Sequence, residues 1–252
     1  MPRPAETILI LGGTTEAAAL AAMLVHKHPQ LRVITSLAGR TKEPQPVAGE
    51  VRTGGFGGAE GLAAYIKQNA VGLLIDLTHP FALQISENAL QASKLSSVEL
   101  RSWQRAPWAP EPGDNWTIVK TASEAACFIP VNARALLAIG SQRIGEFKER
   151  SDVHFVVRTV DEPADPLPLP HYEVLTGKPG NEKQEAILLR EKAVTCIICR
   201  NSGGTASYGK IAAARSLGIP VIMIVRKSGA LKPINFDAFK SEIMLQLASG
   251  AN

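Results

Sequence analysis

Short apolar runs alternate with amphipathic stretches along most of this chain. Residues 7–11 (Thr-Ile-Leu-Ile-Leu) are almost continuously apolar, the mark of a strand covered on both faces. Gly12-Gly13-Thr14-Thr15 breaks that run, and the Ala- and Leu-rich residues 16–27 read as a helix. Further strands are predicted at 31–37, 49–53, 72–77 and 98–101, with helices at 59–69 and 80–93. The same alternation returns later. Strands are predicted at 117–120, 135–139, 153–157, 195–199 and 221–225, and helices at 123–128, after Gly140-Ser141, and at 182–192, 206–217 and 236–247.

Strands alternating with helices of ten to fifteen residues imply βαβ units and parallel sheets. Arg105 to Asp114 holds three prolines and a glycine, which suppress regular structure, so a domain boundary is placed there. The fold expected is α/β: two Rossmann-like domains, each a parallel sheet flanked by helices, with a cleft between them. The first spans 1–108 and the second 109–252. No solenoid period or low-complexity segment interrupts this pattern.

Five expected strand ends carry unusual residues, and in open α/β sheets ligands bind beyond the carboxyl ends of strands. Gly12, Gly13, Thr14, Thr15 and Glu16 form a turn where backbone can approach a pyrophosphate at a helix start. The turn matches neither G-x-G-x-x-G nor a phosphate loop with its lysine, and a tight turn capped by threonine explains the same residues. At the end of the second strand, Ser36, Arg40 and Thr41 stand where an NAD-selective site usually has Asp or Glu. A guanidinium with two hydroxyls suits a 2′-phosphate, so the expected cofactor is NADPH. A solvated basic loop is the other reading.

Arg52-Thr53-Gly54-Gly55-Phe56-Gly57-Gly58 has four glycines in five positions, so Gly54, Gly55 and Phe56 are expected to lie against the cofactor. Thr78 and His79, in Asp76-Leu77-Thr78-His79-Pro80, are expected to line the cofactor side rather than to move protons. Asn201, Ser202, Gly203 and Gly204, followed by Lys210, form a second helix entrance flanked by positive charge. They are expected to bind substrate.

Composition narrows the class. Charged residues at 20% and hydrophobic ones at 45% fit a soluble globular protein, and aromatics at 5% argue against nucleic-acid stacking platforms. The net charge of +4 is spread along the chain and fits either a solvated surface or a cleft for an anionic substrate. Cys196 and Cys199 have C-x-x-C spacing but sit in an apolar run with no second pair, so they read as core thiols. With Cys127 they make no disulfide framework, and residues 1–6 do not read as a signal peptide or membrane span. The expectation is a cytoplasmic protein with no metal, no nucleic acid and no membrane. Tyr-x-x-x-Lys, G-x-S-x-G and H-E-x-x-H do not occur.

Taken in order, these segments resemble the precorrin-6A reductase family of the cobalamin (vitamin B12) pathway. The resemblance rests on Ile10–Ala17, Gly54–Gly58, Asp76–Ala82, Arg200–Gly204, Lys210–Arg215 and Gly218–Val221. Arg105-Ala106-Pro107-Trp108 shifts a proline relative to the family pattern, and Arg200 replaces a lysine. The resemblance implies NADPH-dependent reduction of one C=C bond in precorrin-6A, an anionic tetrapyrrole, to give precorrin-6B. It also implies transient contact with neighbouring pathway enzymes. A proton donor is then required, and by position the candidates are Asp114 and Ser141. The cobalt-precorrin-6A reductases of the anaerobic route are the nearest alternative. A two-domain nucleotide-sugar glycosyltransferase and a non-catalytic NADP(H) sensor are alternatives from other classes.

Overall fold

The computed structural model describes residues 7–39, 46–226 and 234–249. The chain divides into two compact units, Met1–Arg105 with Ala230–Asn252, and Ala106–Gly229. All pairings in both sheets are parallel, as the alternation predicts.

The first unit is built on β1 (Thr7–Leu11), α1 (Thr15–Lys27), β2 (Arg32–Leu37), β3 (Glu50–Thr53), α2 (Gly58–Gln68), β4 (Val71–Asp76), α3 (Leu83–Ser96) and β5 (Glu99–Ser102). Its strand order is β3-β2-β1-β4-β5. β1 is buried along its whole length because helices cover both faces of the sheet. Helix α1 buries Ala17, Leu20, Ala21 and Leu24, the i, i+3, i+4, i+7 stripe that packs on β1. Gly12 lets that helix come close: a Cβ there would stand 2.8 Å from Thr35 Cγ2 and 3.4 Å from Ala17 Cβ.

The second unit contains β6 (Trp116–Val119), α4 (Ala122–Phe128), β7 (Arg134–Ala138), β8 (His154–Thr159), β9 (Tyr172–Thr176), α5 (Glu182–Glu191), β10 (Cys196–Arg200), α6 (Gly209–Leu217) and β11 (Val221–Ile224). Its order is β6-β11-β10-β7-β8-β9. Read from β9, this gives third, second, first, fourth, fifth after β6 is set aside, which repeats the order of the first unit. β6 takes the sixth place, at the edge.

Three sequence expectations change. Strand β9 was not anticipated. It follows the proline-rich 162–170 and is a half-buried edge strand, so it lacks the apolar signature of its neighbours. The helix expected after Gly140-Ser141 is a 3-10 segment, Ser141–Phe147. The closing helix α7 (Phe236–Ser249) belongs to the first unit, not to a domain running 109–252. There Phe239 and Ile243 join the α1 core, Trp103 meets Phe236 with tilted rings 4.8 Å apart, and Trp103 Nε1 donates to Ile234 O at 2.8 Å. A helix cannot be assigned to one of two similar sheets from its own apolar stripe, because both offer the same kind of surface.

Candidate functional site

In a sheet ordered 3-2-1-4-5, the first and fourth strands lead their connections in opposite directions, and a crevice opens between their carboxyl ends. In the first unit these are β1 and β4. Their loops are joined directly: Leu77 N donates to Leu11 O at 3.0 Å, and Thr14 Oγ1 donates to Leu77 O at 2.7 Å. Thr14 also caps α1, its Oγ1 accepting from Ala17 N at 3.2 Å. Gly12 N bonds Ser36 O, and Gly54 N bonds Leu37 O, each at 2.9 Å. The four strand ends named from the sequence are thus brought together.

The surroundings fit a dinucleotide. Gly13 has φ +96°, and a Cβ on Gly13, Gly54 or Gly55 would meet nothing within 4 Å, so these glycines border open space. The first-turn amides of α1 have no intrahelical acceptors, and the helix dipole is positive at this end. Thr15 is exposed, its hydroxyl bonded to Glu16 Oε2 at 3.0 Å. Glu16 pairs with Arg105 at 3.0 Å, so its charge is balanced within the unit. Asp76 is buried, and its Oδ1 accepts from Thr78 N at 3.0 Å and Thr78 Oγ1 at 2.7 Å, which fixes the loop after β4. His79 Nδ1 accepts from Phe81 N at 3.2 Å. Arg40 and Thr41 lie outside the described residues.

Arg52 belongs to the glycine motif, and its role there is set by contacts that the sequence pattern does not show. Its Nη1 donates to Ser36 Oγ at 3.0 Å and Gly54 O at 2.8 Å, and its Nη2 donates to Gly55 O at 3.0 Å. The guanidinium lies 3.8 Å from the Phe56 ring centroid, and Phe56 meets Tyr65 edge-on at 5.3 Å. The spacing Arg52-x₃-Phe56 was the available signal.

In the second unit the equivalent crevice lies between β7 and β10. Gly140 and Ser141 follow β7, Arg200 ends β10, and Asn201 to Gly204 follow it. Gly140 has φ +77°, and a Cβ there would stand 3.1 Å from Arg200 Nη2, so the two loops adjoin. Ser141 is exposed at this crevice. Ser202 and Gly203 are buried, with Ser202 Oγ 3.5 Å from Ser207 Oγ.

Asn201 is spent elsewhere. Its Oδ1 accepts from Trp108 N at 2.7 Å, and its Nδ2 donates to Trp108 O at 2.9 Å. Trp108 Nε1 in turn donates to Gly204 O at 2.7 Å. Asn201 therefore clips the segment at Trp108 onto the loop through both its amide oxygen and its amide nitrogen. Lys210 is 3% exposed, donates from Nζ to Ser207 O at 2.7 Å, and lies 5.3 Å from the Trp108 ring centroid. Burial pushes its ammonium below the usual lysine range. Both residues shape the loop from behind.

Asp114 lies away from the crevice of its own unit. It precedes β6, whose start pairs with the start of β11, so it sits at the amino end of the sheet. Its side chain is 2% exposed, and its Oδ1 accepts from Arg215 Nε at 2.9 Å. Arg215 Nη2 at 3.2 Å and Glu111 N at 2.7 Å bond its Oδ2. The carboxylate is held by a guanidinium fork, at the end of its sheet opposite the crevice between β7 and β10. These contacts support Asp114 as an anchor of the segment before β6.

Among the described residues no group of three or more His, Cys, Asp or Glu side chains could hold a metal, and no helix is long and apolar enough to cross a membrane. Cys196 and Cys199 are buried, and burial pushes the Cys196 thiol up to about 12. They are core thiols, as their apolar run implies.

Comparison with known proteins agrees with this arrangement. The model of the family "Precorrin-6x reductase CbiJ/CobK" matches residues 7–244. A precorrin-6A reductase from Sinorhizobium sp is 46% identical over 228 residues, covering 90% of this chain and 87% of that one. One from Rhodobacter capsulatus is 41% identical over 221 residues, 87% of each chain. A solved structure of CobK precorrin-6A reductase superposes with a TM-score of 0.88 at 39% identity, covering 97% of this chain and 96% of that one. This chain belongs to the precorrin-6x reductase family.

Proposed function

We propose that this chain reduces one C=C bond of precorrin-6A to give precorrin-6B in cobalamin biosynthesis, with NADPH as the reductant. The observation that carries the reading is the stitched crevice between β1 and β4. Glycines facing open space, the start of α1 and the end of β2 converge there in a chain of this family.

A bound reduced nicotinamide supplies the hydride. The chain's own residues do the positioning. Gly12 and Gly13 keep side chains out of the path of the pyrophosphate, and the amides of Thr15 and Glu16 face its charge. Thr14 ties the turn to the β4 loop, so Thr78 and His79 hold a fixed distance from it. Gly54, Gly55 and Phe56 border the adenosine end, beside Ser36.

In the second unit the crevice is bordered by the exposed Ser141, by Arg200 beside Gly140, and by Gly204. An anionic tetrapyrrole is matched there by positive charge, in a chain whose net charge is +4. Ser141 Oγ is the hydroxyl at that crevice placed to hold the proton that completes the reduction.

The direct test is the absorbance of precorrin-6A with NADPH, with and without the chain. The expected result is a spectral change that needs the protein and consumes NADPH. No change with intact substrate refutes the activity, and turnover of UDP-sugars instead would favour a glycosyltransferase. Ser141→Ala is expected to lower kcat by about 100-fold, the usual worth of a positioned proton donor. Unchanged kcat assigns the proton to water.

A further inference from the structure

We propose that Arg52, seated on Phe56 at the carboxyl ends of β2 and β3, is the residue that tells a nucleotide with a 2′-phosphate from one with a free 2′-hydroxyl. The inference rests on the cofactor reading above and names its selectivity device.

With the pyrophosphate at the β1 turn, the adenosine ribose falls over the end of β2. A site for an unphosphorylated ribose puts a carboxylate there. Here Ser36, Leu37, Ala38 and Gly39 carry none. Among the described residues the ion at that place comes from the neighbouring strand: Arg52 of β3 pairs in register with Ser36.

Its guanidinium is already fixed. Three of its five N–H donors bond Ser36 Oγ, Gly54 O and Gly55 O, and its plane rests on Phe56 at 3.8 Å. Among the described residues the other two N–H groups have no acceptor. An arginine so held loses little freedom on meeting a phosphate, and two charge-assisted hydrogen bonds can form. Its positive charge has no carboxylate partner among the described residues. A phosphate dianion supplies one.

The same side chain also organises the Gly54-Gly55 loop, so the test must separate the two roles. The dissociation constants of NADPH and NADH are measured with the full chain by fluorescence titration, with 2′,5′-ADP and 5′-ADP as fragments. Arg52→Met keeps a stem over Phe56 without the charge, and Arg52→Lys keeps the charge without the fork. Arg52→Met is expected to weaken NADPH and 2′,5′-ADP by about 10–100-fold, the worth of charge-assisted hydrogen bonds. NADH and 5′-ADP should change by less than about 3-fold, and Arg52→Lys should fall between.

Equal weakening of both nucleotides by Arg52→Met assigns Arg52 to loop structure and overturns the proposal. An unchanged preference in both variants overturns it too. If the unaltered chain binds NADH as tightly as NADPH, or binds neither, the cofactor reading itself has failed.

Discussion

Replacing Asp114 by Asn separates a catalytic from an anchoring role, because the two roles predict opposite outcomes. The substitution keeps the shape and removes the charge. In the structure the carboxylate accepts two hydrogen bonds from Arg215, at 2.9 and 3.2 Å, and one from Glu111 N at 2.7 Å. The side chain is 2% exposed, so water cannot stand in for what is lost. An amide presents one acceptor where the carboxylate had two, and its NH₂ group would face the guanidinium. Losing charge-assisted bonds of this kind costs about 1.5–3 kcal/mol. At a urea slope of roughly 1–3 kcal/mol per molar, the midpoint should fall by about 1 M. The assay is urea unfolding by circular dichroism, paired with kcat for precorrin-6A at a temperature where the variant is folded. The expected kcat stays within about 2-fold of the parent, since Asp114 lies at the amino end of its sheet. A general acid contributes about 10²–10⁴ in rate. A loss of that size with an unmoved urea midpoint would refute the anchoring role and restore Asp114 as a proton donor.

Two further predictions concern stability. Arg158 and Glu185 form an ion pair at 2.7 Å with side chains only 7% and 3% exposed. Arg158→Met should destabilise by about 3–5 kcal/mol by stranding the Glu185 charge, whereas the double variant with Glu185→Met should recover most of it; urea midpoints that are equal for the single and the double variant would contradict this. Asp152 pairs with Arg150, which holds its carboxyl down from 3.8 to about 2. A folded value below the unfolded one gives stability that is present above pH 3.8 and fades as pH falls toward 2. Asp152→Asn should therefore show a shallower loss of stability than the parent between pH 4.5 and 2.5, and parallel curves would remove Asp152 from the acid response.

The candidate site was legible where function uses backbone. Gly12, Gly13, Gly54, Gly203 and Gly204 stand out in a sequence because only glycine tolerates a positive φ or a close approach without strain. Side-chain roles were harder to read. Arg52, Asn201, Lys210 and Asp114 are polar residues in or beside such loops, and the sequence alone cannot say which polar atoms are already spent. Asn201 turns both its amide atoms to Trp108, 93 residues away, and Asp114 meets Arg215, 101 residues away. Local pattern carries no information about partners at that separation.

The division between sequence and tertiary structure follows the range of the interactions. By itself the sequence determined the α/β class, the parallel sheets and the order of the motif-bearing strand ends, since apolar period and turn residues act over a few positions. Only the tertiary structure decided that α7 closes the first unit, that β9 extends the second sheet, and that the second sheet repeats the order of the first. Those outcomes depend on which of several similar apolar surfaces a segment buries, a choice made by packing between residues far apart in the chain. The same holds for the opening turn. Its glycines were visible at once, but its connection to β4 through Thr14 and to β2 through Gly12 exists only in the folded chain.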